Sequence, residues 1–391
     1  MDELEELSDA NSLIEAFNRA KHGSDWKASV QRYELNLLRN TYLLQNSIRT
    51  GTYRQMDFFE FTLSERGKTR PIKSMHISDR VVQRSVCENV LIPALSKYLI
   101  YDNCASMKGK GIGLTRKRLE KHLHDYYRRH GPDGYVLLVD FKKFFDNIPH
   151  DRLKKAISEK ITDARAMAFI SYLIDTFAVD VSYMSDEEYD HCMERPFDSL
   201  KYRRDIPPEA RTGKKWMRKS VGIGSQISQI CGAFYPTPID TWCKVVKGQK
   251  FYARYMDDIY IISPSKEELA DLLSDIRRIS GELGLFINDR KTQIVKLSHG
   301  FTFLKIKYNL TRSGHLVRRL SRSSISRERR RLKKFRRLLD AGKMRYPAIA
   351  QAYQSWRGNA VKYDSRRSVH NMDRLYNQLF LVQKGEHHDS R

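Results

Sequence analysis

Long apolar runs are missing from this sequence. Its apolar runs, such as residues 136–139 and 259–262, are far shorter than the roughly 20 residues that a helix needs to cross a bilayer. The acidic start, residues 1–6, also lacks the basic region and the apolar stretch of an export signal. We therefore expect a cytoplasmic protein without a membrane partner.

Cysteine is scarce, and its spacing shows no pairing pattern. The chain has five cysteines, an odd number, and no two of them form a C-x-x-C pair. This spacing argues against both a disulfide framework and a zinc ribbon. We expect ordinary buried thiols at Cys87, Cys104, Cys192, Cys231 and Cys243.

Acidic residues are greatly outnumbered. The 391 residues include 47 Asp and Glu against 71 Lys and Arg, which leaves a net charge of +24. A hydrophobic content of 40% is that of a globular chain, and the length suits two or three subdomains. Because such an excess of positive charge favours binding to a polyanion, nucleic acid is the leading expected partner.

Basic residues are densest near the end of the chain. Between residues 312 and 337, 12 basic residues stand against one acid, Glu328. Apolar residues recur there at near-helical spacing, which predicts a helix that packs one stripe on a core. A solvated face is the usual reason for such a run, but this density favours contact with a nucleic-acid backbone. The candidate contacts are Arg318, Arg319, Arg327, Arg330, Lys334 and Arg337.

Helical and strand-like patterns alternate along the rest of the chain. Apolar spacing predicts helices within residues 1–50, a helix over 77–95 that ends near Pro93, and a helix over about 152–177. A hairpin is predicted over 301–317. Residues 183–219 are polar and contain three prolines, which predicts an irregular loop or insertion.

Three aspartates follow or join apolar strands. Asp140 ends the apolar run 135–139, while Asp257 and Asp258 lie at the tip of a strand–turn–strand pattern over 251–262. Two-metal phosphoryl transfer needs carboxylates that converge from separate strands, and hard oxygen ligands suit Mg²⁺ or Mn²⁺. Aspartate is also a common turn residue. The basic surroundings, and the presence of a third aspartate, Asp140, at another strand end, favour a metal site over an ordinary turn.

The residues around these acids resemble the sequence motifs of a known family. Tyr255-Met256-Asp257-Asp258 is similar to the signature hairpin of reverse transcriptases, and VDFKKFFDNIPH at residues 139–150 resembles their first catalytic motif in bacterial retroelements. The resemblance extends from about residue 53 to residue 310. It implies an RNA-directed DNA polymerase, a nucleotidyltransferase, that copies template RNA into cDNA from deoxynucleoside triphosphates.

The resemblance also implies an α+β right-hand polymerase fold. Its parts are fingers, a palm built on an antiparallel sheet, and a helical thumb. The expected domains are a helical extension at 1–50, fingers at 51–134, a palm at 135–310 with an inserted segment at about 160–220, and a basic helical thumb at 311–391.

Site residues follow from the resemblance position by position. Asp140, Asp257 and Asp258 would be the catalytic acids that hold two Mg²⁺ ions, with the carbonyl of Phe141 as a further ligand. Phe145 would exclude a 2′-hydroxyl, and Lys291 would stand near the leaving pyrophosphate. The other expected nucleotide contacts are Lys68, Arg70, Ile223, Gly224, Gln229 and Tyr255.

The segment VGIGSQISQ at residues 221–229 departs from the commonest family form, which has Gln where Ile223 stands. This variant is similar to the one in diversity-generating retroelements, whose enzymes copy RNA with errors at adenines. An aliphatic residue removes a hydrogen-bonding contact near the base pair, so we expect low fidelity.

Other settings and another class stay open on the sequence. A retron or an antiphage defence system would use a related enzyme with a dedicated noncoding RNA, and an accessory protein is a further expected partner. A non-catalytic RNA-binding scaffold is disfavoured by the three intact acids. An RNA-directed RNA polymerase is disfavoured by Phe145.

Overall fold

The computed structural model describes residues 2–65 and 68–381, apart from the side chains at positions 65, 68, 203–205 and 208. The chain folds into two compact units. The larger unit comprises Met1–Arg118, Leu137–Ile261 and Glu267–Gln293. The smaller unit comprises Leu119–Val136, Ile262–Lys266 and Ile294–Arg391.

The first third of the chain is mainly helical, as predicted for residues 1–50. Asp2 and Asp9 cap the first two helices by accepting bonds from backbone N–H groups. A single hairpin interrupts the helices, and a π-helical turn joins α5 to α6. The elements are α1 (Glu3–Ser8), α2 (Ala10–Lys21), α3 (Ala28–Leu35), α4 (Leu37–Arg49), β1 (Phe59–Glu65), β2 (Lys68–Ser74), α5 (Ile77–Val86), α6 (Ile92–Ser96) and α7 (Ile112–His130).

The middle of the chain alternates short strands and helices. Its longest strands carry apolar runs that are buried on both faces. The elements are β3 (Tyr135–Val139), α8 (His150–Ser158), α9 (Ala164–Asp175), β4 (Val179–Asp180), α10 (Asp186–Glu194), α11 (Ser199–Asp205), β5 (Trp216–Met217), α12 (Gln226–Phe234), α13 (Thr237–Thr241), β6 (Tyr252–Tyr255), β7 (Asp258–Ser263), α14 (Lys266–Glu282) and β8 (Gln293–Lys296).

A small sheet and three helices complete the chain. The sheet has the order β11-β10-β9, and its three strands replace the two-stranded hairpin that was predicted over 301–317. The last helices bury Leu332, Tyr353 and Tyr376 among others, with the two tyrosine rings stacked at 4.2 Å. The elements are β9 (Phe301–Phe303), β10 (Ile306–Leu310), β11 (Leu316–Leu320), α15 (Arg322–Asp340), α16 (Tyr346–Ala360) and α17 (Arg366–Phe380).

The prediction of an irregular loop over 183–219 is wrong. The region folds into α10, α11 and β5 around its own apolar core, which includes Met184, Cys192 and Phe197. Ser185 and Glu188 form a reciprocal capping box at the start of α10, a local signal that the prolines obscured.

One predicted helix boundary is also wrong. The helix expected over 152–177 is split into α8 and α9, because Asp163 caps a new helix start. The helix predicted over 77–95 is continuous, since α5, the π-helical turn and α6 together run from Ile77 to Ser96. By contrast, α15 confirms the predicted basic helix, and all five cysteines are free and buried as expected.

The mixture of helices and sheets confirms the expected α+β class. Across residues 2–65 and 68–381, no helix combines the length and the apolar character that a membrane crossing requires.

Candidate active site

The three aspartates lie at one end of a four-stranded sheet. The strand order is β6-β7-β3-β8, so β3 and β7 are neighbours. Gly134, just before β3, packs so tightly on the end of β7 that an added Cβ would lie 3.1 Å from the carbonyl oxygen of Ser263. Because the start of β3 meets the end of β7, the strands run in opposite directions. Asp140 at the end of β3 therefore faces the start of β7, at Asp258.

The turn that carries Asp257 is held by a buried ion pair. Tyr255 pairs with Asp258 across the hairpin, which leaves Met256 and Asp257 as the two turn residues. Met256 has a φ of 55°, an unfavourable conformation for a bulky residue, and its side chain is buried. The Arg254 guanidinium donates to the Met256 carbonyl at 3.1 Å and to the Asp240 carboxylate at 2.6 and 2.8 Å.

Negative charge accumulates at this tip. Burial, together with the nearby carboxylates of Asp257 and Asp258, raises the pKa of the Tyr255 hydroxyl above its ordinary value. The tip therefore favours a cation beside these groups.

Asp140 is held by two side chains from the segment before β8. The Lys291 ammonium lies 2.6 and 2.8 Å from the two oxygens of its carboxylate, and the Asn288 amide donates to one of them at 2.9 Å. The backbone N–H of Asn288 also donates to the Asp140 carbonyl at 2.8 Å. This pairing fixes Lys291 opposite Asp140.

The donor set fits a divalent metal ion in its chemistry. Carboxylate oxygens are the ligands that Mg²⁺ and Mn²⁺ prefer, and the Asp140 carboxylate already holds one cation, the Lys291 ammonium. Within the described part of the chain, no three His, Cys, Asp or Glu side chains stand close enough together to hold a metal ion. Because the Lys291 ammonium contacts both oxygens of the Asp140 carboxylate, a metal ion at Asp140 would compete with it.

Phe145 lies beside the acidic hairpin. Its ring packs against the buried cluster of Ala105, Ala233 and Met256, as that of Tyr255 also does, and an added Cβ on Gly232 of α12 would stand 2.9 Å from the Phe145 Cε1 atom. The Val221 N–H donates to the Phe145 carbonyl at 3.0 Å. The first catalytic run and the 221–229 segment are therefore adjacent.

The 221–229 segment is bonded to β2, the second strand of the first hairpin. The Lys73 N–H on β2 donates to the Ile223 carbonyl at 3.1 Å. Gly224 has a φ of 124°, and an added Cβ there would lie 3.0 Å from the Lys73 carbonyl oxygen, so only glycine fits. Gln229 accepts a bond from the Ser106 hydroxyl at 3.4 Å. The backbone of β2 thus supports the predicted nucleotide segment.

Comparison with known proteins identifies the family of this chain. The profile of the family described as "Reverse transcriptase (RNA-dependent DNA polymerase)" matches residues 62–308, more than half of the chain. The chain belongs to the reverse transcriptase family. It is an RNA-directed DNA polymerase, a nucleotidyltransferase, and the family implies a right-hand polymerase fold. A relative, "Protein YkfC" of Escherichia coli (strain K12), is 23% identical over 296 residues, which cover 72% of this chain and 72% of that protein.

The remaining predicted residues of this reverse transcriptase lie on the first hairpin and directly after Asp140. Arg70 pairs with Leu63 in the β1–β2 hairpin, while the side chain of Lys68 lies outside the described residues. Phe141 follows Asp140 and forms a bridge with Ile287.

The predicted nucleic-acid contacts all belong to the smaller unit. Arg318 and Arg319 lie on β11, and the Arg318 guanidinium is 3.0 Å from the Glu120 carboxylate, which gives it a structural partner. Arg327 on α15 is half-buried. Three more side chains of α15 are exposed, namely Arg330, Lys334 and Arg337.

Sequence reasoning missed the residues that brace this site. Arg254 and Asp240 form a fully buried pair, and the only signal was a charged residue inside an apolar strand. Asn147 donates to the carbonyls of Lys142 and Lys143 and accepts from the Phe197 N–H at 2.8 Å. The region predicted as a loop therefore braces the run that carries Phe145.

Proposed function

We propose that Asp140, Asp257 and Asp258 form the polymerase site of this reverse transcriptase. The observation that carries the proposal is the antiparallel meeting of β3 and β7, which brings all three carboxylates to one end of the sheet. Metal-assisted phosphoryl transfer needs carboxylates from separate strands at one end of a sheet, and these strands supply three, although the described side chains do not stand close enough together to hold an ion as they are.

The site is proposed to work with two Mg²⁺ ions, with Mn²⁺ as the alternative ion. Asp140, Asp257, Asp258 and the carbonyl of Phe141 would hold them. When bound, these ions lower the charge on the triphosphate and activate the primer 3′-hydroxyl for attack on the α-phosphate.

The chain's own side chains supply the remaining functions in this proposal. Once Lys291 leaves Asp140, its ammonium is free to protonate the pyrophosphate oxygen as the bond to the α-phosphate breaks. Phe145 places an aromatic ring beside the acidic hairpin, where it excludes a ribose 2′-hydroxyl. Lys68 and Arg70 bring cations to the triphosphate from the β1–β2 hairpin.

Primer extension on an RNA template tests the polymerase site. Wild-type protein should extend a primer with deoxynucleotides and Mg²⁺, and the double variant Asp257→Ala/Asp258→Ala should not. Asp271→Ala, which removes an exposed carboxylate of α14 in the same unit, is the matched control and should extend normally. Equal extension by the double variant would refute the assignment. RNA binding without extension by the wild type would favour the scaffold.

We further propose low-fidelity copying in a bacterial diversity-generating retroelement. The support is Ile223, whose half-buried side chain stands where the commonest family form has Gln, on a segment that β2 holds by a backbone bond. Without that amide, discrimination between bases rests more on shape and weakens.

Misincorporation measured against Ile223→Gln tests the fidelity proposal. The variant should make fewer errors opposite template adenine, at similar extension of matched primers. Unchanged error rates would refute it. Sequencing the RNA that co-purifies from cells separates the settings, because a retron or a defence system would yield its dedicated noncoding RNA together with an ordinary error rate.

A further inference from the structure

Two exposed tyrosines stand in the short segment between α6 and α7. Tyr98 is 40% exposed and Tyr101 is 65% exposed, although large aromatic side chains usually lie mostly inside a fold. Neither ring belongs to the polymerase site proposed above. Their exposure and their spacing of three residues therefore need a separate explanation.

Anchored cations lie beside the Tyr101 ring. The Arg118 guanidinium is 4.9 Å and the Lys110 ammonium 5.7 Å from the ring centroid. Arg118 is fixed by the buried carboxylate of Asp102 at 2.6 Å, and Lys110 by the carbonyls of Tyr101 and Asn103 at 3.0 and 2.6 Å. Because these bonds hold the cations independently of the ring, both charges stay in place when a ligand contacts it.

Tyr98 repeats the same combination. The Lys160 ammonium is 4.5 Å and the Lys97 ammonium 5.5 Å from its ring centroid. Exposed rings with cations beside them are the arrangement by which proteins bind single strands, since bases stack on the rings and phosphates contact the cations. Two of the four cations have a carboxylate partner, Arg118 with Asp102 at 2.6 Å and Lys160 with Glu159 at 3.6 Å, so the charge beside the rings stays net positive, which favours a phosphate backbone over a protein partner.

The segment is attached to the strand that leads into the catalytic turn. Asn103 forms a parallel bridge with Arg254 of β6, the Arg254 N–H donates to the Asp102 carbonyl at 3.0 Å, and the Cys104 N–H donates to the Arg254 carbonyl at 2.9 Å. In a parallel pair, Tyr101 lies before the bridge and Asp257 lies after it. The backbone that follows Tyr101 is therefore anchored to β6, on the side of the bridge away from the catalytic turn.

We propose that Tyr98 and Tyr101 form a stacking surface for unpaired bases of bound RNA, outside the polymerase site. The proposal rests on the RNA binding that the proposed function requires, and not on the three aspartates. Tyr101 contributes more than Tyr98, because more of its ring is accessible.

Fluorescence anisotropy with labelled RNA hairpins tests the stacking surface. One hairpin is blunt, and the other has a 5′ tail of about ten unpaired nucleotides, within the usual site size of single-strand binders. Binding is measured without deoxynucleotides and without divalent ions, so polymerisation plays no part. The variants are Tyr98→Ala, Tyr101→Ala and Tyr101→Phe, with Tyr42→Ala as the matched control, since Tyr42 on α4 is also 65% exposed.

Tyr101→Ala should weaken binding of the tailed hairpin by at least about fivefold, the lower bound for losing one stacked base. Tyr98→Ala should weaken it less, while Tyr101→Phe and Tyr42→Ala should bind as the wild type does. Binding of the blunt hairpin should be the same for all. An unchanged affinity for the tailed hairpin, or an equal loss for both hairpins, would overturn the proposal.

The outcomes separate this inference from the polymerase assignment. Asp257→Ala/Asp258→Ala should keep the wild-type preference for the tailed hairpin. If extension by the wild type fails but the preference depends on Tyr101, the stacking surface stands and the polymerase proposal falls. If extension depends on the aspartates but the preference for the tailed hairpin does not depend on Tyr101, the polymerase proposal stands and the stacking surface falls.

Discussion

The Lys291 ammonium contacts both oxygens of the Asp140 carboxylate, at 2.6 and 2.8 Å. A lysine in this position competes with a divalent ion for the same carboxylate, because both are cations that need its negative charge. We therefore expect Lys291→Ala to lower the half-saturating Mg²⁺ concentration several-fold. It should also lower the maximal rate, by about 10²- to 10⁴-fold if the proton donor is lost. Primer extension at varied Mg²⁺ measures both quantities.

Arg290→Ala is the matched control for Lys291→Ala. Arg290 is the exposed neighbour in sequence, so its loss removes equal charge and should change neither quantity. A chelator should abolish extension by all three proteins. If Lys291→Ala leaves the Mg²⁺ dependence as it is in the wild type, the ion pair with Asp140 does not compete with metal binding.

Phe145 and its neighbour Phe144 allow a test of sugar selection. Phe145 is half-buried against the cluster that includes Met256, whereas Phe144 is 3% exposed and belongs to the core. Phe145→Ala should increase incorporation of ribonucleotides relative to deoxynucleotides, because the smaller side chain leaves room for a 2′-hydroxyl. Competition between the two nucleotide types in single-turnover extension measures the ratio.

Phe144→Ala separates selection from simple loss of packing. It should lower the free energy of unfolding by about 3–5 kcal/mol, as a core phenylalanine does, and change the ratio less than Phe145→Ala does, although its ring packs edge-on against Phe145 at 5.2 Å. The same ratio in Phe145→Ala and in the wild type would show that this ring has only a packing role.

Sequence periodicity was sufficient to predict the helices that pack one apolar stripe on a core. The basic helix α15 and the helices of residues 1–50 follow from spacing alone, because each packs a single face on a core. The three aspartates were found because strand ends and a turn are local signals. Long-range bonds were beyond such reasoning, so the contact of Asn147 with Phe197 and the core of 183–219 were missed.

The pairing of Lys291 with Asp140 was likewise beyond the sequence. The two residues are separated by 151 positions, and their contact depends on how the segment before β8 pairs with the end of β3. Arg254 looked like an exception in an apolar strand, since nothing local identifies Asp240 as its partner. Buried charges require partners, but only the fold selects them.

The buried Arg254–Asp240 pair should stabilise the larger unit strongly. Both side chains are completely buried, and Asp240 also accepts from the Tyr252 hydroxyl. Asp240→Ala should lower the free energy of unfolding by about 3–5 kcal/mol, because it leaves the Arg254 charge buried without its partner. Urea denaturation measures the change.

Glu282→Ala is the control for the buried pair, since it breaks an exposed ion pair with Arg278 on α14. It should cost less than about 1 kcal/mol. The double variant Asp240→Leu/Arg254→Met should recover much of the stability, because it removes both charges together. Similar losses from Asp240→Ala and Glu282→Ala would contradict a supporting role for the buried pair.

The contribution of Asp175 to the stability of the larger unit should depend on pH in the acid range. Burial alone would raise the pKa of its carboxyl, but bonds from His150 and Lys154 outweigh burial and lower it from 3.8 to about 2. Above the unfolded value of 3.8, the carboxylate is charged in both states, and its contribution to stability is complete. As the pH falls toward 2, the unfolded chain takes up the proton first, and the contribution is lost.

Asp175→Asn should therefore have a lower free energy of unfolding than the wild type at about pH 5. The difference between the two proteins should become smaller by about pH 3. Urea midpoints at the two pH values measure this difference. Asp271→Asn, which changes an exposed residue, is the control and should be as stable as the wild type at both pH values. His150 also contacts the Ser220 carbonyl, one residue before the 221–229 segment, so the loss of Asp175 should reduce extension as well as stability. A gap of constant size from pH 5 to pH 3 would contradict the lowered pKa of Asp175.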